Sequence, residues 1–160
     1  MTTILAVDPG PVRSAWALYV ETSAGYEVRG HAIQPNVGLL GLLRSRPMTP
    51  YYDIDVLVIE KIESFGMAVG AEVFETVYWS GQFAEAAHPL AVARLTRRAV
   101  KLHLCGSARA KDGNIRQALI DRFGGPDAIG RKATPGPLHG VAGDVWSALA
   151  VAVTYADGVR

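Results

Sequence analysis

Two long apolar runs in this sequence each stop at a carboxylate. Ile4-Leu5-Ala6-Val7 ends in Asp8, and Val56-Leu57-Val58-Ile59 ends in Glu60. Dense apolar runs of this kind, bounded by turn signals, read as strands buried on both faces. Side chains alternate along a strand, so Asp8 shares a face with Ile4 and Ala6, and Glu60 with Val56 and Val58. A carboxylate at a strand end costs little when solvated and several kcal/mol when buried without a partner. Parallel neighbouring strands would set the two acids side by side, where they repel and a divalent cation is the simplest compensation. A third acid, Asp144, lies in Gly140-Val141-Ala142-Gly143-Asp144-Val145-Trp146-Ser147, at or near the start of a helix. Taken singly, each acid has an ordinary role: a solvated strand end, or a helix cap. Together they make an oxygen-donor set of the kind that hard Mg²⁺ or Mn²⁺ prefers.

The elements that must position these acids are legible in outline. Thr3 to Val7 predicts a first strand, stopped by Asp8-Pro9-Gly10. Arg13 to Val20 predicts a second and Tyr26 to Ile33 a third, joined across Ser23-Ala24-Gly25, which suggests an antiparallel meander. Val37 to Arg46 carries Leu39, Leu40 and Leu43 at helical spacing before Pro47. Asp55 to Ile59 predicts a fourth strand, Ile62 to Gly70 a loop and Ala71 to Ala87 a long helix. Val73, Val77 and Ala84 would form that helix's packed face, with Gly81 allowing a close helix contact. Leu90 to Leu95 predicts a fifth strand. Asp112 to Phe123 predicts an amphipathic helix with Ile115, Leu119 and Ile120 inward, and Gly124 to Pro137 a loop. Val141 to Ala156 predicts a last helix, stopped near Gly158. The order β-β-β-α-β-α-β-α-α implies an α/β domain spanning 1–160, with a mixed five-stranded sheet of three antiparallel and then parallel strands, flanked by helices.

Length and composition agree with that. The 160 residues, 49% of them hydrophobic, suffice for one domain with a real core. The apolar runs are far shorter than the roughly 18 residues of a membrane span. The N-terminus runs straight into a strand without a basic region, so no signal peptide is expected. A lone Cys105 excludes an intrachain disulfide framework and a cysteine-based zinc site, and reads as a buried small apolar residue. A cytoplasmic location is expected. The formal net charge is only +1, yet its distribution is uneven. Residues 94–132 hold ten basic and three acidic residues, a net +7, whereas residues 1–93 hold five basic and ten acidic, a net −5. A cationic surface beside an acidic site suits nucleic acid, although a charge-speckled helical surface produces the same count.

Several short motifs, in order, resemble those of RuvC-type Holliday junction resolvases in the RNase H-like superfamily. Val7-Asp8-Pro9-Gly10 resembles their first-strand motif and Val58-Ile59-Glu60 their fourth-strand glutamate. Gly81-Gln82 resembles a Gly-Gln helix motif, and Arg98-Ala99-Val100-Lys101 a basic stretch after the fifth strand. Gly106-Ser107-Ala108 with Lys111 resembles a Gly-Ser-Ala-x-Lys region. Asp144 to Thr154 resembles the terminal Asp-x-x-Asp-Ala-Leu-Ala-x-Ala-x-Thr helix. The likeness runs from residue 3 to about 155, and the compact length and a tryptophan suggest a phage-type branch.

The resemblance implies an RNase H-like fold and two-metal hydrolysis of a DNA phosphodiester with Mg²⁺, Mn²⁺ substituting. Asp8 would bridge both ions, with Glu60 and Asp144 on either side. Arg97, Arg98, Lys101, Arg109 and Lys111 would contact phosphates. The substrate would be a four-way junction, whose two-fold symmetry calls for a homodimer, with the helix from Ala71 as its interface. The sequence departs from the family at several points. Ser147 stands where many members carry a second helix acid, and the segment between Glu60 and Gly81 is longer than usual. Glu63 stands where an aromatic wedge is common, with Phe65 two residues on as a replacement. His139 precedes Asp144 by five residues where the family's histidine precedes its acid by three, so its catalytic role stands beside an ordinary surface one. Rival readings are a same-fold nuclease acting on flaps, RNA–DNA hybrids or RNA, and a junction-binding module without catalysis. An actin-like ATPase is disfavoured, because the chain is too short for two such lobes.

Overall fold

The computed structural model describes residues 1–45 and 53–160. Five strands form one sheet: β1 (Thr3–Asp8), β2 (Arg13–Thr22), β3 (Gly25–Pro35), β4 (Val56–Lys61) and β5 (Ala91–Thr96), in the order β3-β2-β1-β4-β5. β1 pairs antiparallel with β2, which pairs antiparallel with β3, while β1–β4 and β4–β5 are parallel. The expected mixed sheet is therefore present. The helices are α1 (Asn36–Ser45), α2 (Ala71–Ala86), α3 (Arg97–Cys105), α4 (Asp112–Arg122) and α5 (Val145–Ala156). The expected end of the first helix at Arg46 and its stop at Pro47 lie outside the described residues. No helix among the described residues is long and apolar enough to cross a membrane.

Strand alternation divides the core into two layers. Ile4, Ala6, Val56 and Val58 face α5, α4 and α3, and Leu5, Val7, Leu57 and Ile59 face α1 and α2. The central strands need apolar side chains on both faces, which is why their sequences are continuous rather than alternating. α5 lies against β1 and β2. Its residues Ala148 to Thr154 are sealed from solvent, and its alanines let the backbone approach the sheet. Burial of Leu149, Val151 and Val153 contributes about 1.5–3 kcal/mol each.

Several expectations need correction. The basic stretch after β5, to which the sequence pattern assigns no element, is a helix, α3. Its apolar periodicity is thin, and Val100 is its buried anchor. What holds it are its ends: the Thr96 hydroxyl accepts from the Ala99 N–H at 3.1 Å, and Gly106, at φ 70°, closes the C-terminus in the left-handed conformation. The last helix starts at Val145, not Val141, because Gly140 and Gly143 take positive φ and keep the preceding residues in turns. α2 packs through Thr76 and Phe83, with Trp79, Ala84 and Ala86 partly buried against the same core; of the expected face Ala84 packs, Val77 is exposed, and nothing lies within 4 Å of a Cβ placed on Gly81. This helix carries more apolar side chains than one packed face can use, so its sequence could not say which face is inside. The region expected as loop after α4 also holds a short 3₁₀ turn, Pro126–Ala128, and a hairpin of β6 (Gly130–Arg131) and β7 (Thr134–Pro135). Cys105 is half-buried against the core rather than fully enclosed.

Part of the basic segment is paired inside the protein. Arg122 grips Asp157 with both terminal nitrogens at 2.6 and 2.7 Å, and His103 meets the same carboxylate at 2.7 Å. Arg116 lies over the Trp146 ring at 5.1 Å. The +7 excess thus overstates the free cationic surface.

The turn that ends β1 is braced by a buried polar network. The Ser14 hydroxyl donates to Asn36 Oδ1 at 2.6 Å, and Asn36 Nδ2 donates to the Gly10 carbonyl at 2.8 Å. The Gly10 N–H donates back to Ser14 Oγ at 3.1 Å. A Cβ on Gly10 would fall 2.2 Å from the Arg13 carbonyl oxygen, so the turn requires glycine. Asn36→Ala would strand the buried Ser14 hydroxyl and the Gly10 carbonyl. It is expected to cost about 2 kcal/mol, seen as a fall in Tm of about 4–8 °C. A fall below about one degree in a thermal melt would show that the network does not support the turn.

Candidate active site

Ile4 lies opposite Val56 and Val7 opposite Ile59. Asp8 and Glu60 therefore follow one another at the same ends of neighbouring strands, whose backbones run about 4.8 Å apart. Glu60 in turn pairs with Leu95 on β5, and two residues later α3 begins with Arg97. That register delivers the guanidinium to the carboxylate: Arg97 Nη1 lies 3.2 Å from Glu60 Oε2. The same nitrogen donates to Ser147 Oγ at 3.3 Å, near the start of α5. Arg97 Nη2 pairs with Oδ1 of Asp112, the first residue of α4. Asp144 stands at the N-terminus of α5 in a helical conformation, and its side chain makes no capping hydrogen bond. The ordinary structural role for this acid, a cap, is thus not realised.

The electrostatics mark these groups as one centre. Burial, then the charges of Glu60 and Asp144, push Asp8 up to about 8, against the pull of Arg97. Burial also raises Glu60, while the charge and hydrogen bond of Arg97 work the other way. Burial by itself would lower Arg97, but Glu60 and Asp112 outweigh it and raise it further. Asp112 acts on both Asp8 and Glu60. Such mutual repulsion in a half-dry site stores a demand for positive charge.

The donor chemistry fits a hard divalent cation: carboxylate oxygens from Asp8, Glu60 and Asp144, without competing thiolate or imidazole. Among the described residues, however, no three His, Cys, Asp or Glu side chains converge closely enough to hold an ion as they stand. Beside the centre opens a cavity of about 450 Å³, lined by Arg97, Asp112, Arg116, Asp144, Trp146, Ser147 and the turn before α5.

The remaining expected residues fall into place around this centre or away from it. Lys101, one turn along α3 from Arg97, is close enough for its charge to favour ionised Glu60. Arg98, Arg109 and Lys111 are exposed. The sequence assigns Arg97 to phosphates; its guanidinium instead sits among the acids, only 31% exposed. His139 is exposed, its Nδ1 engages the Ile129 carbonyl at 3.2 Å, and it does not line the cavity. Phe65 is 71% exposed in the segment between β4 and α2, where Glu63 is half-buried. Sequence reasoning did not anticipate Asp112. Its one signal is its place in the first turn of a helix, directly after Lys111.

No family model matches the sequence. No curated protein matches it either. Its fold is nonetheless shared with solved structures. Thermus thermophilus RuvC matches with a TM-score of 0.65 at 16% identity, over 97% of this chain and 93% of that one. The same protein in complex with Holliday junction substrate matches with a TM-score of 0.68 at 17% identity, over 98% and 93%. The fowlpox virus Holliday junction resolvase matches with a TM-score of 0.55 at 15% identity, over 98% of each chain. The expected RuvC-like RNase H fold is therefore the fold of this chain.

The raised Asp8 has a consequence for stability. A carboxyl whose pKa is higher folded than unfolded binds its proton more tightly in the native state. Its contribution is greatest below the unfolded value near 4 and is lost as pH rises toward 8. In chelator, the wild-type Tm should fall between pH 5 and pH 8, and Asp8→Asn should flatten that fall. Parallel pH profiles for the two proteins would contradict the cluster electrostatics.

Proposed function

We propose that this chain is a metal-dependent endonuclease that resolves four-way DNA junctions by symmetric phosphodiester hydrolysis. The observation that carries this reading is the pair Asp8–Glu60 at the ends of adjacent parallel strands, with Asp144 at the start of α5 near enough for its charge to act on Asp8, on the fold of RuvC. Asp8, Glu60 and Asp144 would hold Mg²⁺, or Mn²⁺ in its place, which supplies an activated water and stabilises charge on the leaving oxygen. The chain itself contributes position. The sheet holds Asp8 and Glu60 on rigid strand ends, and the Ser14–Asn36 network keeps the β1 turn from sagging. Lys101, and the exposed Arg98, Arg109 and Lys111, supply charge for phosphates near the acids. Phe65, exposed in its loop, is available to wedge between bases, and His139 would reach the reaction only by leaving the Ile129 carbonyl. One Cys, half-buried, suits action on DNA in the cytoplasm.

Cleavage of a synthetic four-way junction, with and without Mg²⁺, tests this directly. Asp8→Asn should lower the rate at least about a hundredfold, close to 3 kcal/mol of barrier, with junction binding retained. Cleavage kept within about threefold would remove Asp8 from the chemistry. Binding without cutting would favour the non-catalytic module, and preference for flaps, hybrids or RNA the same-fold alternative.

A two-fold substrate calls for a second copy, and α2 is the surface suited to it. Phe74, Val77 and Tyr78 are 67%, 51% and 63% exposed. Val77 and Gly81 line both grooves flanking the helix. A small residue one turn beyond exposed apolar ones lets two helices approach closely. The protein should be a dimer at micromolar concentration by light scattering, and Val77→Glu should make it monomeric without lowering its Tm by more than a few degrees. A wild-type monomer that cuts junctions on both strands would overturn the homodimer.

A further inference from the structure

Arg97 turns into the acidic centre and hydrogen-bonds to its groups. Its neighbour Arg98 is exposed, as a basic residue at the start of a helix ordinarily is. Arg97 instead reaches three acceptors on three different elements: Glu60 on β4, Asp112 on α4 and Ser147 on α5. A guanidinium presents a rigid fork of donors and never gives up its charge, so it can bridge several acceptors at once. It also supplies the opposing positive charge among the groups that act on Asp8.

We propose that Arg97 is the internal counter-ion of the carboxylate centre and exchanges with the divalent cation there, so that the metal-free protein holds its own site closed. The proposal rests on the nuclease reading for the metal centre and adds to it a competitor built into the chain. The argument is one of a shared carboxylate. Arg97 takes Glu60 Oε2 at 3.2 Å, and a divalent cation would draw on the same carboxylate. Two positive groups on one carboxylate in a buried setting repel strongly, so each weakens the other. The same guanidinium also binds Asp112, so the contact to Glu60 is braced from α4. Arg97 has somewhere to go when displaced. Asp112 is 82% exposed at its side chain and lies on the rim of the 450 Å³ cavity. A guanidinium still held by Asp112 would then stand at the mouth of that cavity, beside Arg116, where a phosphate can meet it.

Calorimetry with MnCl₂ and no DNA tests the exchange on wild type, Arg97→Gln, and Arg97→Gln combined with Asp8→Asn. Arg97→Gln should lower the Kd for Mn²⁺ by about tenfold or more, the low end of what an adjacent opposite charge does to a carboxylate. The gain should vanish in the double variant. In chelator, Arg97→Gln should melt lower than wild type, and Mn²⁺ should raise its Tm by more. Tighter binding in Arg97→Gln supports the proposal even where wild type shows none. Equal or weaker binding than wild type would overturn it and leave the metal centre intact. Absence of binding in all three proteins would overturn both. Should Arg97→Gln fail to fold, the wild type itself decides through its ¹⁵N-arginine spectrum, with Arg97→Lys for assignment. The Arg97 guanidinium protons should exchange faster as Mg²⁺ is added, and unchanged protection at saturation would overturn the proposal.

Discussion

Two carboxylates at the ends of neighbouring parallel strands cannot both stay ionised in a half-dry site unless positive charge stands beside them. Most of the architecture around Asp8 and Glu60 answers that constraint. The parallel register of β1 and β4 creates the repulsion, and the register of β4 and β5 brings Arg97 to relieve it. α4 and α5 then attach to the same guanidinium through Asp112 and Ser147. One cation thus ties four elements together at the end of the sheet where the chemistry would take place. Replacing an opposed charge by a stronger one is also how such a centre would be loaded, which makes stability and metal binding two readings of the same electrostatic demand.

The opposite end of the helical layer is closed differently. Arg122 and His103 converge on Asp157, pinning α4 and α3 to the end of α5. The two clusters use the same residue types with different results. The Asp157 cluster has enough cations to satisfy its acid, and after burial is counted the carboxyl is still held below its ordinary value. The Asp8 cluster has more acids than cations, and Asp8 is pushed up to about 8. The two clusters thus differ in balance: Asp157 is matched by its cations, and Asp8 is not.

α2 presents the other unmet demand, an apolar one. A sixteen-residue helix that fully buries Thr76 and Phe83, and partly buries Trp79, Ala84 and Ala86, leaves Phe74, Val77 and Tyr78 to water. Exposed apolar side chains in one stretch of helix are costly for a monomer and ordinary for a subunit. The acidic centre and this helix lie on parallel strands and their crossover, so an assembly through α2 and a reaction at β1–β4 would be joined through β4 and the chain that follows it.

The sequence by itself determined the layered fold and the three acids. Continuous apolar runs follow from burial on both faces of a central strand, and they are a property of the local sequence. The end of β1 at Asp8 was legible because a charge follows the buried run directly; β4 runs one residue past Glu60, which is itself buried. The start of α5, the existence of α3 and the packed face of α2 were not legible, although Thr96 and Gly106 carried a cap signal for α3. Glycine conformation, cap geometry and surplus apolar surface each admit more than one local solution, and packing selects among them. The role of Arg97 was decided only by the tertiary structure. Its sequence neighbours make it one basic residue in a basic stretch. It becomes part of the acidic centre because strand register sets Glu60 between Asp8 and the first turn of α3. Electrostatic pairing depends on distance in space rather than along the chain, and only the assembled sheet fixes that distance.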